Sequence, residues 1–328
     1  MALRLLIAFC LLAWSLFAAA TTSAGATGGG PSRPQPPTSE EVDRATERFL
    51  DSMEDGRGGP EAAGGTGGIG DPSQPTDDSL FPDSRVIAFY GAPQMGATII
   101  GRKSISAAKR RLRKQARPYE GRGRRVFPGI DLVAVLATAD RGSDGKYRTR
   151  QPDRIVEAYL EAARELNGRL ILDIQPGRSS VMKEVRALKE WLVRPNVDVA
   201  LDPEWNVGRN GRPGRSVGSV RAKTVNRVTG YMSDLIAEKN LPPKTFVIHQ
   251  FRGGSIKKER RIVQPAGVDV TLNFDGIGGK AAKRTGYKRL SRDNLFAGFS
   301  LFYRLDKGLM SPSKVLKLKP SPDFVLYQ

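Results

Sequence analysis

Cysteine and histidine are almost missing from this chain. One Cys (Cys10) excludes a disulfide framework and any multi-Cys zinc site. One His (His249) excludes a His-rich metal centre and every mechanism that needs two histidines. No metal and no cofactor is therefore expected. Long apolar runs are scarce as well: Leu5–Ala20, interrupted only by Ser15, is short for a membrane span, which needs about 20 residues. A phosphate-cradling glycine loop is also missing, since Gly91-Ala92-Pro93-Gln94-Met95-Gly96 fits neither dinucleotide nor P-loop spacing. Acidic residues are in the minority, with 34 Asp+Glu against 53 Lys+Arg in 328 residues, a net +19. That balance is uneven. Residues 1–82 hold 5 Lys/Arg and 11 Asp/Glu, a net −6, so residues 83–328 carry +25.

What is present begins with a secretory layout: Arg4, then the apolar run, then Ala24-Gly25-Ala26 as a small-residue exit. Residues 1–26 read as a signal peptide and the protein as secreted, associated with the cell wall or free. An uncleaved segment would be its only membrane contact. Residues 27–82 are rich in Gly, Pro, Ser, Thr and Asp and read as a flexible linker. Within it, Ser39 is placed to cap a short helix near 40–53. Val42, Ala45, Phe49 and Met53 share one face of that helix.

From residue 83 the pattern changes. Eight apolar runs alternate with helical stretches: 86–90, 131–138, 170–175, 197–204, 245–251, 268–274, 299–303 and 324–328. Continuous aliphatic runs are what buried parallel strands require. Eight of them with helices between over residues 83–328 match a (β/α)₈ barrel of the TIM type, which takes about 250 residues. A doubly wound open sheet is the competitor. The chain ends on the eighth run, so the barrel lacks an eighth outer helix, and the helix near 40–53 is a candidate to cover that gap.

Barrel chemistry gathers at the C-terminal strand ends. The third run ends Asp173-Ile174-Gln175-Pro176-Gly177-Arg178, and the fourth Asp202-Pro203-Glu204-Trp205. The fifth ends His249-Gln250-Phe251, and the sixth Asn273-Phe274-Asp275. The first and seventh end in Tyr90 and Tyr303. An unpaired charge in an apolar strand costs several kcal/mol, so four carboxylates at one end of a barrel need a reason. Each alone could instead cap its loop. Asp131 and Asp198 sit at run starts, where a stability role fits better. Carboxylates, amides and aromatic rings together suit a sugar site. Glu204 reads as general acid, crowded by Asp202 and Asp173, with Asp202 or Asp275 orienting the reacting centre. Trp205, Tyr90 and Phe251 read as a stacking platform, and Gln175, Arg178, His249, Gln250, Asn273 and Tyr303 as further substrate contacts. The charge run Lys109–Lys114 is either a solvated helix face or a grip on an anionic polymer.

These strand ends resemble those of a family of secreted actinobacterial proteins, a likeness spanning roughly residues 85–328 that implies export and a barrel but brings no assigned activity. They also resemble, more loosely, the chitinase-type glycoside hydrolases. Asp202-Pro203-Glu204 matches that family's Asp-x-Glu strand end, and Phe274-Asp275 its aromatic-Asp pair. The chain departs from it at Ala200, where that family has a further Asp, and in lacking a Trp at the end of the eighth strand. The expectation is a secreted glycoside-hydrolase-like monomer acting on a cell-wall or extracellular polysaccharide. The alternative is a non-catalytic binder of an anionic wall polymer on the same scaffold. Nucleic acid is not an expected partner, since no nucleic-acid motif accompanies the charge. A phosphodiester-cleaving barrel is a minor third reading, which the single histidine opposes.

Overall fold

The computed structural model describes residues 36–54 and 79–328. The expected signal peptide, and the linker apart from residues 36–54 and 79–82, lie outside the described residues. Among the described residues no helix is long and apolar enough to cross a membrane.

Eight parallel strands close into a barrel. They are β1 (Ser84–Gly91), β2 (Arg125–Ala137), β3 (Arg169–Ile174), β4 (Val197–Leu201), β5 (Lys244–Gln250), β6 (Val268–Phe274), β7 (Phe296–Leu301) and β8 (Phe324–Tyr327). Closure is explicit in the register: Val86 of β1 pairs with Phe324 of β8 and with Phe127 of β2. That excludes the open doubly wound sheet. The strands are buried almost throughout, because one face fills the barrel and the other lies under helices. Six helices of five residues or more accompany β1–β6: α1 (Ser39–Glu54) ahead of the barrel, then α2 (Ile105–Ala116), α3 (Asp153–Glu165), α4 (Val181–Ala187), α5 (Ala222–Lys239) and α6 (Lys280–Leu290). Helix α3 shows why such segments dock. Ile155, Val156, Tyr159, Leu160, Ala162 and Ala163 form one buried stripe. Each large aliphatic side chain so buried contributes about 1.5–3 kcal/mol.

The ring of helices is incomplete at two places. After β5 there is only a single turn, Glu259–Arg261, and the segment Ile256–Lys257 pairs with Val220–Arg221 instead. Among the described residues no helix follows β8. The gap closes when the turn Arg117–Tyr119 after α2 meets the short helix Pro312–Leu316. Under it the Tyr119 and Tyr327 hydroxyls are hydrogen-bonded at 2.7 Å, and Tyr327 stacks on Tyr303.

Helix α1 does not cover that gap, contrary to expectation. It docks beside β2 and α3. Ala139 N–H donates to Pro37 O, Ser39 N–H to Asp140, and Gln94 Nε2 to Thr46 Oγ1. Phe49 stacks on Tyr159 at 6.0 Å. Nor is Ser39 the cap. Thr38 and Glu41 form a reciprocal box, with Glu41 N–H donating to Thr38 Oγ1 and Thr38 N–H to Glu41 Oε2.

Other boundaries moved for identifiable reasons. β2 begins at Arg125 rather than Asp131, and β4 stops at Leu201 because Pro203 opens a tight turn. The barrel floor is polar. Arg169 of β3 makes a two-pronged ion pair with Asp198 of β4, both fully buried. Asp269 of β6 accepts hydrogen bonds from Ser79 Oγ and from the N–H groups of Leu80 and Phe81, which plug the bottom.

Candidate active site

Alternation along the strands selects the side chains that fill the upper barrel. In β2 it is Asp131, opposite inward-facing Tyr90 of β1. Next come Asp173 from β3, Asp202 just past β4, and His249 of β5 beside Asn273 of β6. All are buried.

Two hydrogen-bonded groups organise this space. In the first, Asp202 Oδ2 accepts from the Tyr90 hydroxyl at 3.0 Å and from Gln175 Nε2 at 3.1 Å, while Gln175 Oε1 accepts from Ala137 N–H. In the second, Asn273 Nδ2 bridges His249 Nδ1 at 3.0 Å and Ser300 Oγ at 2.7 Å. Between them His249 Nε2 faces Asp131 Oδ2 at 3.5 Å, too long for a good hydrogen bond. Asp275, one residue past β6, accepts from Gln328 Nε2 at 3.0 Å. Glu204 sits on the turn Pro203–Trp205. Its Oε2 is shielded from solvent and has no hydrogen-bond partner.

Five carboxylates thus crowd one imidazole. Lys283 on α6 is engaged elsewhere, by Asp306 and Ser300 O. The protonation equilibria reflect this. Burial, then the charges of Asp202 and Asp275, hold the Glu204 carboxyl well above the usual carboxylate range. Burial and Asp202 do the same to Asp173. Burial raises Asp131 to about 6, against the opposing pull of His249. Burial would lower His249, but Asp202, Asp131 and Asp173 outweigh it and hold the ring well above its ordinary value. Glu204 therefore holds its proton to higher pH than a partnered surface carboxylate does. That is the condition for a general acid.

Several expected contacts are not brought to this space. Gln250 points outward, as alternation from inward His249 requires, and donates to Glu259. Tyr303 also points outward. Its hydroxyl bonds Gln115 of α2, and Arg111 covers its ring. Arg178 lies over the Tyr147 ring and donates to Gly211 O, which pins the basic loop around residues 209–214. The platform residues offer no open faces. Trp205, Tyr90 and Phe251 are only 6%, 7% and 5% exposed, and Trp205 packs on Ala137.

Asp131 was missed as a site residue. The longer β2 puts it mid-strand, on the inner face with Gly129. Pro128-Gly129 hid the strand start, because neither residue favours a central strand. Ser300, which fixes Asn273, gave no sequence signal beyond its place in the seventh run.

Gly177, at the end of the third strand's loop, fixes how this rim is built. Its φ is +58°, and a Cβ there would lie 2.4 Å from Lys146 O and 2.5 Å from Tyr147 O. Gly177→Ala should lower unfolding free energy by at least about 1–2 kcal/mol in urea titration, from the left-handed backbone alone. An unchanged midpoint would show that the loop relaxes freely.

No protein-family model matches the chain, and no curated protein does. Among solved structures, a GH5-4 broad specificity endoglucanase from Clostridium acetobutylicum is similar at 11% identity, covering 61% of this chain and 76% of that one, with a TM-score of 0.32. A likeness of that depth says nothing about activity. The barrel stands on its own strand pairing.

Proposed function

We propose that the protein is a secreted glycoside hydrolase of cell-wall or extracellular polysaccharide, working by carboxylate acid–base chemistry. The observation that carries this reading is Glu204: a shielded, unpartnered carboxyl oxygen, on a carboxyl that burial and the charges of Asp202 and Asp275 hold well above the usual carboxylate range. Glu204 protonates the leaving glycosidic oxygen. Asp275, steadied by Gln328, serves the opposite side of the sugar as base or nucleophile. Asp202, held by Tyr90 and Gln175, stays in place to stabilise positive charge as it develops at the anomeric carbon. The test is release of new reducing ends from a panel of neutral polysaccharides. Wild-type protein releases them and Glu204→Gln releases them at least about 10²-fold more slowly. Equal release by both would overturn the assignment.

The second reading, a binder of anionic wall polymer, is favoured by one observation. Arg110, Arg111, Arg113 and Lys114 lie exposed on α2, while Lys109 turns inward to Glu165. Screening separates the two readings, because the Debye length shrinks from about 10 Å at 0.1 M salt to about 3 Å at 1 M. Retention on an anionic polymer should be lost over that range, and turnover of a neutral glycan should not change. Retention that survives 1 M salt would exclude charge as the basis of binding.

A further inference from the structure

Beneath Glu204 the barrel holds three groups that the acid–base reading does not use. Asp131, Asp173 and His249 each offer one donor atom, and these atoms lie within 4.8 Å of one another. All three residues are essentially inaccessible. What sets them apart from an ordinary acidic cluster is that their inward atoms have no hydrogen-bond partner. Both oxygens of Asp131, Oδ2 of Asp173 and Nε2 of His249 are buried and unsatisfied. Buried polar atoms are nearly always paired, so three such groups with donor atoms within 4.8 Å of one another call for a common partner. A single cation would satisfy them together.

We propose that Asp131, Asp173 and His249 form a binding site for one first-row divalent cation of the zinc or manganese class. The spacing fits. Two donors about 2.0–2.1 Å from a tetrahedral centre stand about 3.4 Å apart, and His249 Nε2 and Asp131 Oδ2 are 3.5 Å apart. The donor set also fits: two carboxylates and one imidazole suit a borderline cation better than calcium, which takes six to eight oxygens. Three protein ligands leave a position open for water or a substrate oxygen.

The surroundings orient the ligands. Ile174 N–H donates to Asp173 Oδ1 at 2.7 Å, which leaves Oδ2 free to face the centre. Asn273 sits against His249 Nδ1 and Ser300 Oγ, and its own Oδ1 is unpartnered. A half-turn of that amide presents Oδ1 to both. Nδ1–H then donates to Asn273, and the Nε2 lone pair faces the cation. Metal-bound histidines are held this way by a hydrogen bond on the far ring nitrogen. The charge balance favours the same occupant, because a dication between Asp131 and Asp173 relieves the repulsion within the five-carboxylate cluster.

This site goes beyond the glycosidase reading and does not depend on it. It is tested on the full chain without any substrate. The protein is stripped with EDTA, dialysed, and titrated calorimetrically with Zn²⁺ and separately with Mn²⁺. Metal content is then measured by elemental analysis. The expected result is saturable uptake of one ion per chain with a rise in Tm. Asp131→Asn and His249→Gln should abolish that uptake. Asn273→Leu should weaken it about 10–100-fold. Glu204→Gln should bind as wild type, so that a failed hydrolase assignment and a failed metal assignment give different results. Far-UV circular dichroism and the metal-free Tm verify that the variants fold. Absence of saturable uptake of either ion, or uptake unchanged in folded Asp131→Asn and His249→Gln, would overturn the proposal.

Discussion

Glu204→Gln is expected to lower kcat/KM on the active polysaccharide by about 10²–10⁴-fold, the usual contribution of a positioned general acid. The protein should not lose stability in exchange. Glu204 has a folded-state pKa raised above its unfolded value, first by burial and then by Asp202 and Asp275. A carboxyl of that kind is favoured in the fold while protonated. Its contribution is intact below the ordinary carboxylate pKa and declines as pH rises from there through the raised value. Glutamine cannot ionise, so the variant escapes that decline. It should be at least as stable as wild type at pH 7–8, with a flatter stability–pH profile. The wild-type activity profile should fall along an alkaline limb that lies above the usual carboxylate range, and the residual activity of the variant should show no such limb. An inactive variant that is also strongly destabilised would mean that Glu204 is a structural residue.

The largest expected effect on stability lies at the opposite end of the barrel. Arg169→Met leaves Asp198 buried among strand ends with its charge uncompensated. Asp198 Oδ1 still accepts from Thr245 N–H, but one hydrogen bond does not replace a two-pronged guanidinium. Breaking a buried pair in this way costs about 3–5 kcal/mol. The double variant Arg169→Met/Asp198→Leu removes both charges and should recover much of that loss, since apolar replacement of a whole buried pair is often neutral. Urea unfolding of the two single variants and the double variant measures the coupling. Additive losses would show that the two residues act independently and that the floor is not held by their pairing.

The two ends of the barrel were not equally legible in the sequence. All eight strands stood out, because a strand buried on both faces is a continuous apolar run and a carboxylate inside one is conspicuous. Asp173, Asp202 and Asp275 were visible for that reason. Asp131 was visible but misplaced, since Pro128-Gly129 concealed the first six residues of its strand. Helix α6 carries only a weak apolar pattern. Five of its eleven residues are basic, and Gly286 interrupts the pattern. Yet Gly286 is required there, because a Cβ would lie 2.5 Å from the Phe274 ring. The Gln250 assignment failed on parity, not on chemistry, for a residue next to inward His249 in a strand must face out. The aromatic platform failed for a different reason. Trp205 is buried against Ala137, at the end of a strand far away in sequence, which local sequence does not encode. The strap α1 was legible as an amphipathic helix, but where it docks is decided by Asp140, Gln94 and Tyr159, all far away in sequence.

The most direct test of the glycosidase account is a crystal structure of the Glu204→Gln variant soaked with the oligosaccharide that wild type cleaves best. A glycosidic oxygen is expected beside residue 204, with Asp275 on the opposite face of the adjoining sugar ring and Asp202 near its anomeric carbon. Sugar bound only along the basic face of α2, or an upper barrel that excludes it, would contradict the account.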